Sequence, residues 1–217
     1  MKKLILIILV ISVLQSFGIQ KERKSASTIA QKGWISLFNG KNLDNWKFND
    51  KEGTFKVQDG MIVVNGERSH LFYEGPAQTH DFKNFEFKAD IMTEPGSNSG
   101  IYFHTEYQTE GWPEKGYEVQ VNNSHSDWRR TSGLYGISDV KEVPTKDKEW
   151  FTIHITVTGK HIVVKLNGKT TVDYVEPENV NYKDFPGRKI AHGTFCLQGH
   201  DPKSKVYFKN IMVKPLP

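Results

Sequence analysis

The chain has 217 residues, which is enough for one domain with a sizeable hydrophobic core. It carries 29 lysines and arginines against 25 aspartates and glutamates, and the net charge of +4 is spread as mixed signs along the sequence. Because no long basic block is present, we expect no nucleic-acid partner. The single cysteine excludes an internal disulfide, so burial of apolar side chains must stabilise the fold.

The amino-terminal residues predict export. Two lysines precede the apolar run 4–14, and small residues follow at Ser16 and Gly18. This order is typical of a secretory signal peptide, and the apolar run is short for a membrane-spanning helix. We therefore predict a signal peptide over 1–18 and a flexible leader over 19–32. The protein is expected to be exported by a bacterium, periplasmic or secreted, with no integral membrane span in the mature chain.

The rest of the sequence, 33–217, predicts one domain of short β-strands. Asp59-Gly60 lies between the apolar runs 55–58 and 61–64 and predicts a tight β-hairpin. Further strands are predicted in chain order at 34–38, 71–73, 82–92, 100–104, 117–122, 150–158, 162–166, 170–174, 193–198 and 206–213. No helical periodicity of useful length is present. Roughly a dozen short strands with frequent turns predict an all-β sandwich or jelly roll.

Two of these strands, 100–104 and 117–122, have one apolar and one polar face. Side chains alternate across a strand, so the apolar positions are expected to enter the core. The opposite faces carry the polar side chains Tyr102, His104, Glu118, Gln120 and Asn122. This polar face is either a concave functional surface or the solvated outside of the sandwich.

The residue types on this face and near it are typical of carbohydrate recognition. Trp112 lies among polar loop residues and is a candidate to stack on a sugar ring. Arg129 is a candidate to bind hydroxyls or carboxylates. A conventional glycosidase needs two carboxylates, but Gln120, an amide, follows Glu118 on the shared face.

A divalent metal is a further candidate ligand. His200 directly follows a predicted strand, where a loop can carry it to the edge of a cleft. His104, Glu118 and His200 together would suit such an ion, although their spacing has no metal-site signature. No other cofactor is expected.

Six stretches together resemble one known family, the 3-keto-disaccharide hydrolase domain. They occur in the family's order and are distributed across nearly all of the predicted mature chain: 33–46, 98–104, 116–121, 133–136, 197–200 and 206–211. The resemblance implies a concanavalin A-like jelly-roll sandwich of two antiparallel sheets. It also implies action on small oxidised sugars, namely glycosides with a ketone at C3, and it favours a periplasmic location.

The resemblance gives the polar residues candidate roles. A ketone at C3 acidifies the hydrogen on C2, and a positioned base can remove it. Glu118 or His104 is the candidate base. Candidates for substrate binding or charge stabilisation, directly or through a metal, are Tyr102, Gln120, Trp112, Arg129, Gln198 and His200.

Two other functions remain open. The chain departs from the family pattern at His104, where relatives carry an arginine, and at Asn122-Asn123, where they carry an aspartate. A non-catalytic, lectin-like carbohydrate-binding module would tolerate such changes. A conventional glycosidase would need a second carboxylate close to Glu118.

Overall fold

A computed structural model describes residues 32–217. The predicted signal peptide, and all of the predicted leader except Lys32, lie outside the described residues. Within the described part the chain forms strands, loops and one short 3-10 turn at Ala77–His80, and it has no α-helix. No helix of residues 32–217 has the length and apolarity needed to cross a membrane.

Fifteen strands make up the described fold. In chain order they are β1 (Ile35–Ser36), β2 (Trp46–Phe48), β3 (Phe55–Gln58), β4 (Met61–Val64), β5 (Ser69–Tyr73), β6 (Phe85–Thr93), β7 (Ser99–Thr105), β8 (Tyr117–Val121), β9 (Arg130–Leu134), β10 (Ser138–Val140), β11 (Phe151–Thr158), β12 (His161–Leu166), β13 (Lys169–Val175), β14 (Thr194–Gly199) and β15 (Val206–Pro215).

The strands form two antiparallel sheets. The first sheet has the order β13-β12-β11-β6-β15-β4-β3, with β1 added beside β15. The second has the order β10-β9-β8-β7-β14-β5-β2. This topology confirms the prediction of an all-β, concanavalin A-like jelly-roll sandwich.

Alternation explains the packing between the sheets. Along β6 every second side chain is buried while its neighbours are half-exposed, and β11 repeats this pattern. The second sheet contributes the fully buried side chains Ile101, Phe103, Tyr117, Val119 and Val121. These are the apolar positions that alternation predicts for the core.

The predicted hairpin is confirmed, but the sequence does not predict three of the short strands. β3 and β4 have the predicted bounds, and Asp59 and Gly60 both have positive φ, as a tight hairpin turn requires. Strands β2, β9 and β10 lack a run of alternating apolar residues long enough to be recognised. Trp46 begins β2 and is buried.

The long connection between β13 and β14, residues 176–193, is fastened to the second sheet. The Glu176 carboxylate accepts hydrogen bonds from the Tyr117 hydroxyl and the Ile190 N–H. Gly116 N–H donates to the Gly187 carbonyl at 3.0 Å. A Cβ on Gly187 would lie 1.8 Å from the Glu114 carbonyl oxygen, so only glycine permits this close approach. These contacts fix where residue 188 enters the site.

Candidate active site

The polar face of the second sheet gathers side chains from four adjacent strands. Strand register aligns Cys196, Tyr102 and Glu118 in one row across β14, β7 and β8. In the row that lies two residues further along these strands, His70 pairs with Gln198 and Gly100 pairs with Gln120. Alternation therefore brings the predicted residues Tyr102, Glu118, Gln120 and Gln198 together on one surface.

Glu118 is the centre of a buried hydrogen-bond network on this surface. Its Oε1 accepts from Gln198 Nε2 at 2.8 Å, and its Oε2 accepts from Arg188 Nη2 at 3.1 Å. Gln198 Nε2 also lies 3.1 Å from the Tyr102 hydroxyl oxygen. The Glu118 and Arg188 side chains are only 4% and 8% exposed. Both partners of the carboxylate are donors, so Glu118 acts purely as an acceptor here.

Gly100 makes this network geometrically feasible. Glu118 on β8 and Gln198 on β14 flank β7, so two strand spacings, about 9.6 Å, separate their backbones. Their side chains meet because Gly100, between them on β7, has no side chain. A Cβ on Gly100 would lie 2.4 Å from Glu118 Oε1 and 3.0 Å from its Cγ. The glycine thus leaves the space that the carboxylate fills.

Replacing Gly100 with alanine should disrupt the site. The added methyl group cannot fit without moving a carboxylate that a buried ion pair holds, so we expect catalytic efficiency to fall at least about 10-fold and stability to fall by about 1–3 kcal/mol. Steady-state kinetics and urea unfolding measure the two effects.

Gly159→Ala is the control for that substitution. Gly159 lies in the β11–β12 turn, where a Cβ meets no atom within 4 Å, but its φ is +55°. Gly159→Ala should cost about 1–2 kcal/mol in stability and leave turnover unchanged. Equal turnover by Gly100→Ala and wild type would contradict the proposed role of Gly100.

Several buried polar atoms around Glu118 have no hydrogen-bond partner within residues 32–217. They are both amide atoms of Gln120, Gln198 Oε1 and Arg188 Nη1. A buried donor or acceptor without a partner costs about 1–3 kcal/mol, so natural proteins rarely leave several together. The simplest physical reason for such a cluster is a polar ligand or ordered water that completes it.

Tyr102 remains a protonated phenol in this environment. Burial raises the pKa of Tyr102 well above its ordinary value, and the negative charge of Glu118 raises it further. The Arg188 guanidinium also lies over the Tyr102 ring, 5.2 Å from its centroid. Tyr102 therefore contributes an O–H group and a ring face, not a phenolate base.

A cleft of about 1350 Å³ opens over this surface. The β7–β8 connection forms part of its wall, and the 176–193 connection forms another part. Residues that line it include Tyr102, Trp112, Glu118, Gln120, Tyr135, Phe185, Arg188, Gln198 and His200. The polar face is thus the floor of a cleft and not a solvated outer surface.

His104 borders the cleft but is held by the backbone. Thr105 pairs with Thr194 and Phe103 with Phe195, so His104 is an extra residue in β7, a β-bulge with φ of 56°. Its Nε2 lies 2.9 Å from the Lys83 carbonyl oxygen, and its Nδ1 accepts from the Ala191 N–H at 3.3 Å. The backbone therefore engages both ring nitrogens of His104.

Arg129 is not among the described residues that line the cleft. Its guanidinium contacts Asp139 at 3.3 Å and Asp127 at 3.6 Å, and it stacks on the Trp128 and Tyr135 rings. Arg188 supplies the guanidinium at the site instead. Sequence reasoning missed Arg188, although Pro186-Gly187 before it is a turn signal in an otherwise featureless loop.

The predicted metal set His104, Glu118 and His200 does not form a cluster of ligand atoms. Among residues 32–217, His125, His200 and Asp201 have ligand atoms within 4.8 Å of one another. His125 Nδ1 accepts from the Asp127 N–H at 3.1 Å, so the neutral ring carries its proton on Nε2. That tautomer has no second lone pair for a metal, and we assign none to this cluster.

Two buried imidazoles should make the protein sensitive to acid. Burial lowers the pKa of His70 to about 3, helped by the charges of Arg68 and His200, and burial lowers the pKa of His104 to about 4. Below pH 6.5 the unfolded chain binds protons at these rings and the folded chain does not. The free energy of unfolding should therefore fall as pH falls from about 6.5 to about 4.

The size of this effect can be measured with one variant. At pH 5.0 each ring should lower the free energy of unfolding by about 2 kcal/mol relative to pH 7.5. His70→Phe should thus lose about 2 kcal/mol less than wild type between these pH values in urea unfolding. The same pH dependence in both proteins would show that His70 is not kept neutral by burial.

Together, the sandwich and the buried acid–amide cluster define a jelly-roll protein with a polar cleft on one sheet. Residues 33–214 match the family described as the 3-keto-alpha-glucoside-1,2-lyase-like domain, and the chain belongs to this family. The match agrees with the family resemblance found in the sequence.

Individual relatives support a glycoside-hydrolase-like enzyme at family level. A 3-keto-disaccharide hydrolase of Bacteroides thetaiotaomicron is 26% identical over 234 residues, which cover 85% of this chain and 79% of the relative. A Parabacteroides distasonis structure, described only as a candidate glycosyl hydrolase, is 26% identical with a TM-score of 0.72, covering 85% and 94% of the two chains. A Bacillus subtilis protein with a galectin-like fold, 11% identical with a TM-score of 0.60 and covering 83% and 94%, shares the fold alone.

Proposed function

We propose that this protein cleaves glycosides that carry a ketone at C3 of the sugar ring. The observation that carries the proposal is the Glu118 carboxylate, held in a buried network beside amide and guanidinium atoms that lack partners among residues 32–217: both amide atoms of Gln120, Gln198 Oε1 and Arg188 Nη1. One base surrounded by hydrogen-bonding groups suits proton abstraction beside a carbonyl better than two-carboxylate glycoside hydrolysis.

The proposed reaction begins at C2. Glu118 removes the C2 proton, and the electron pair of the C–H bond forms an enolate whose charge is on the C3 oxygen. The enolate then collapses, a double bond forms between C1 and C2, and the bond from C1 to its oxygen substituent breaks. The leaving oxygen takes up a proton. Addition of water across the new double bond makes the net reaction a hydrolysis.

The groups around Glu118 have complementary roles in this proposal. The amide of Gln120 and the free Nη1 of Arg188 are donors for the oxygen on which negative charge develops. The acceptor Gln198 Oε1 and the Tyr102 hydroxyl are available to orient the sugar hydroxyls. Arg188 Nη2 and Gln198 Nε2 keep the carboxylate in place.

The test compares an oxidised substrate with its unoxidised counterpart. Purified protein is incubated with a 3-keto-glucoside and with the plain glucoside, each with and without a chelator. We expect release of the aglycone from the keto substrate alone. Loss of this activity with the chelator, and its return on adding a divalent ion, would show that the reaction requires a bound metal ion.

The other outcomes decide between the remaining functions. Cleavage of the plain glucoside would indicate a conventional glycosidase with a second carboxylate near Glu118. Saturable sugar binding without turnover would indicate a lectin-like module. The export predicted from residues 1–18 belongs to the proposal and is tested separately by cell fractionation of the full-length chain.

A further inference from the structure

We propose that Trp112 is the platform of a second sugar subsite, which holds the pyranose ring of the leaving group. This inference rests on the proposed cleavage of 3-keto-glycosides for its functional meaning, although the subsite itself is a matter of binding. Three observations support the subsite: the hydrogen bonds that fix the backbone at Trp112, the groups around its ring, and its position relative to Glu118.

The backbone around Trp112 is fixed while the side chain stays exposed. Gly111, just before it, donates to the Asp50 carboxylate and accepts from Asn49 Nδ2, both at 3.1 Å. Gln108 Nε2 donates to the Trp112 carbonyl at 2.8 Å. Trp112 as a residue is nevertheless 42% exposed. A ring held this way loses little further freedom when a ligand binds.

Trp46 shows what a purely structural tryptophan looks like in this protein. It is 7% exposed, packs in the core and donates its indole N–H to the Leu37 carbonyl at 2.9 Å. The Trp112 indole N–H, in contrast, has no hydrogen bond within the part of the chain that the structure describes. The Arg68 guanidinium lies 5.7 Å from the centroid of the Trp112 ring. Trp112 thus offers a ligand the exposed remainder of its ring and a donor.

Two imidazoles support the Trp112 ring from the sheet side of the cleft. The His70 ring lies 5.1 Å from it at an interplanar angle of 71°, and the His200 ring lies 5.5 Å away at 52°. His70 is fully buried, and neither of its ring nitrogens has a partner among residues 32–217. An apolar ring face bordered by polar groups suits the C–H face and the hydroxyl edge of a pyranose.

The distance across the sheet separates this subsite from the reacting one. His70 under Trp112 is on β5, whereas Glu118 is on β8, and β14 and β7 lie between them. Three strand spacings amount to about 14 Å between the two backbones. The Glu118 side chain shortens this separation by reaching over β7 to Gln198, so the two subsites are neighbours, as two linked rings require. Pockets for drug-sized ligands have volumes of about 300–1,000 Å³. The cleft of about 1350 Å³ therefore has room for two linked rings.

The test uses two substrates that differ only in the leaving group. Wild type, Trp112→Ala, Trp112→Phe and the control Trp150→Ala are compared on a 3-keto-disaccharide and on methyl 3-keto-glucoside. Trp150 is also partly exposed but lies immediately before β11, a strand of the other sheet. Trp112→Ala should raise KM for the disaccharide about 10-fold, equivalent to about 1.4 kcal/mol. For the methyl glycoside, Trp112→Ala should change KM and kcat by less than about 2-fold.

The variants also distinguish a platform from a merely structural residue. Trp112→Phe should keep most of the affinity for the disaccharide, and Trp150→Ala should behave like wild type. An equal loss on both substrates would show that the loop has collapsed and would overturn the proposal. An unchanged KM for the disaccharide in Trp112→Ala would overturn it as well.

A binding measurement separates this inference from the proposed chemistry. An unoxidised disaccharide and its constituent monosaccharide are titrated into wild type and Trp112→Ala by calorimetry. If wild type cleaves neither keto substrate, the proposed reaction fails. Disaccharide binding that is lost in Trp112→Ala and kept in Trp150→Ala would then still support the subsite. Absence of disaccharide binding to wild type would overturn it.

Discussion

Glu118→Gln should abolish most of the turnover of a 3-keto-glycoside while leaving the protein folded. General base catalysis contributes about 10²–10⁴-fold, and the amide cannot accept the C2 proton, so kcat should fall by that factor. The new amide can still be satisfied. Its oxygen can accept from Arg188, and Gln198, whose Oε1 has no partner within residues 32–217, can rotate to accept from its nitrogen. Steady-state kinetics per folded molecule measures the effect.

A second glutamate supplies the matched control. Glu142 is exposed, outside the cleft, so Glu142→Gln removes the same charge from the chain without touching the site. Its turnover should equal that of wild type. Full turnover by Glu118→Gln would exclude Glu118 as the base, and a proportional loss in both variants would point to net charge instead.

Most of the fold could be predicted because strand alternation is a local property. Buried positions such as Ile101 and Val119 follow from a period of two within a single strand, and so does the shared face of Glu118 and Gln120. Register, in contrast, depends on the partner strand. The role of Gly100 can be recognised only when β8 and β14 are known to flank its strand.

The site residues that sequence reasoning misplaced depend on irregular structure. His104 was grouped with Tyr102 by alternation, but the bulge in β7 breaks the alternation there. Arg188 lies on a loop whose path is set by contacts of Glu176 and Gly187, which no periodicity reveals. For Arg129 a signal was present, because aspartates close in sequence were available to pair with it.

Removing Arg188 from its ion pair with Glu118 should destabilise the protein more than removing Glu118. Arg188→Met leaves the Glu118 carboxylate, which is only 4% exposed, without its ion-pair partner, and breaking a buried pair in this way costs about 3–5 kcal/mol. For a domain of this size the melting temperature should fall by roughly 10 °C. Glu118→Leu should cost less, because Arg188 belongs to a loop that can turn its guanidinium towards solvent.

The double variant Arg188→Met/Glu118→Leu tests whether the pair is retained for function. Well-packed apolar replacements of a buried pair are often neutral or stabilising, so the double variant should recover at least about 2 kcal/mol relative to Arg188→Met. Urea unfolding of all four proteins gives the coupling energy. Recovery of stability without turnover would mean that the pair is kept for chemistry at no gain in stability. Wild-type stability of Arg188→Met would instead show that water reaches Glu118, which would remove the physical basis for a shielded base at this position.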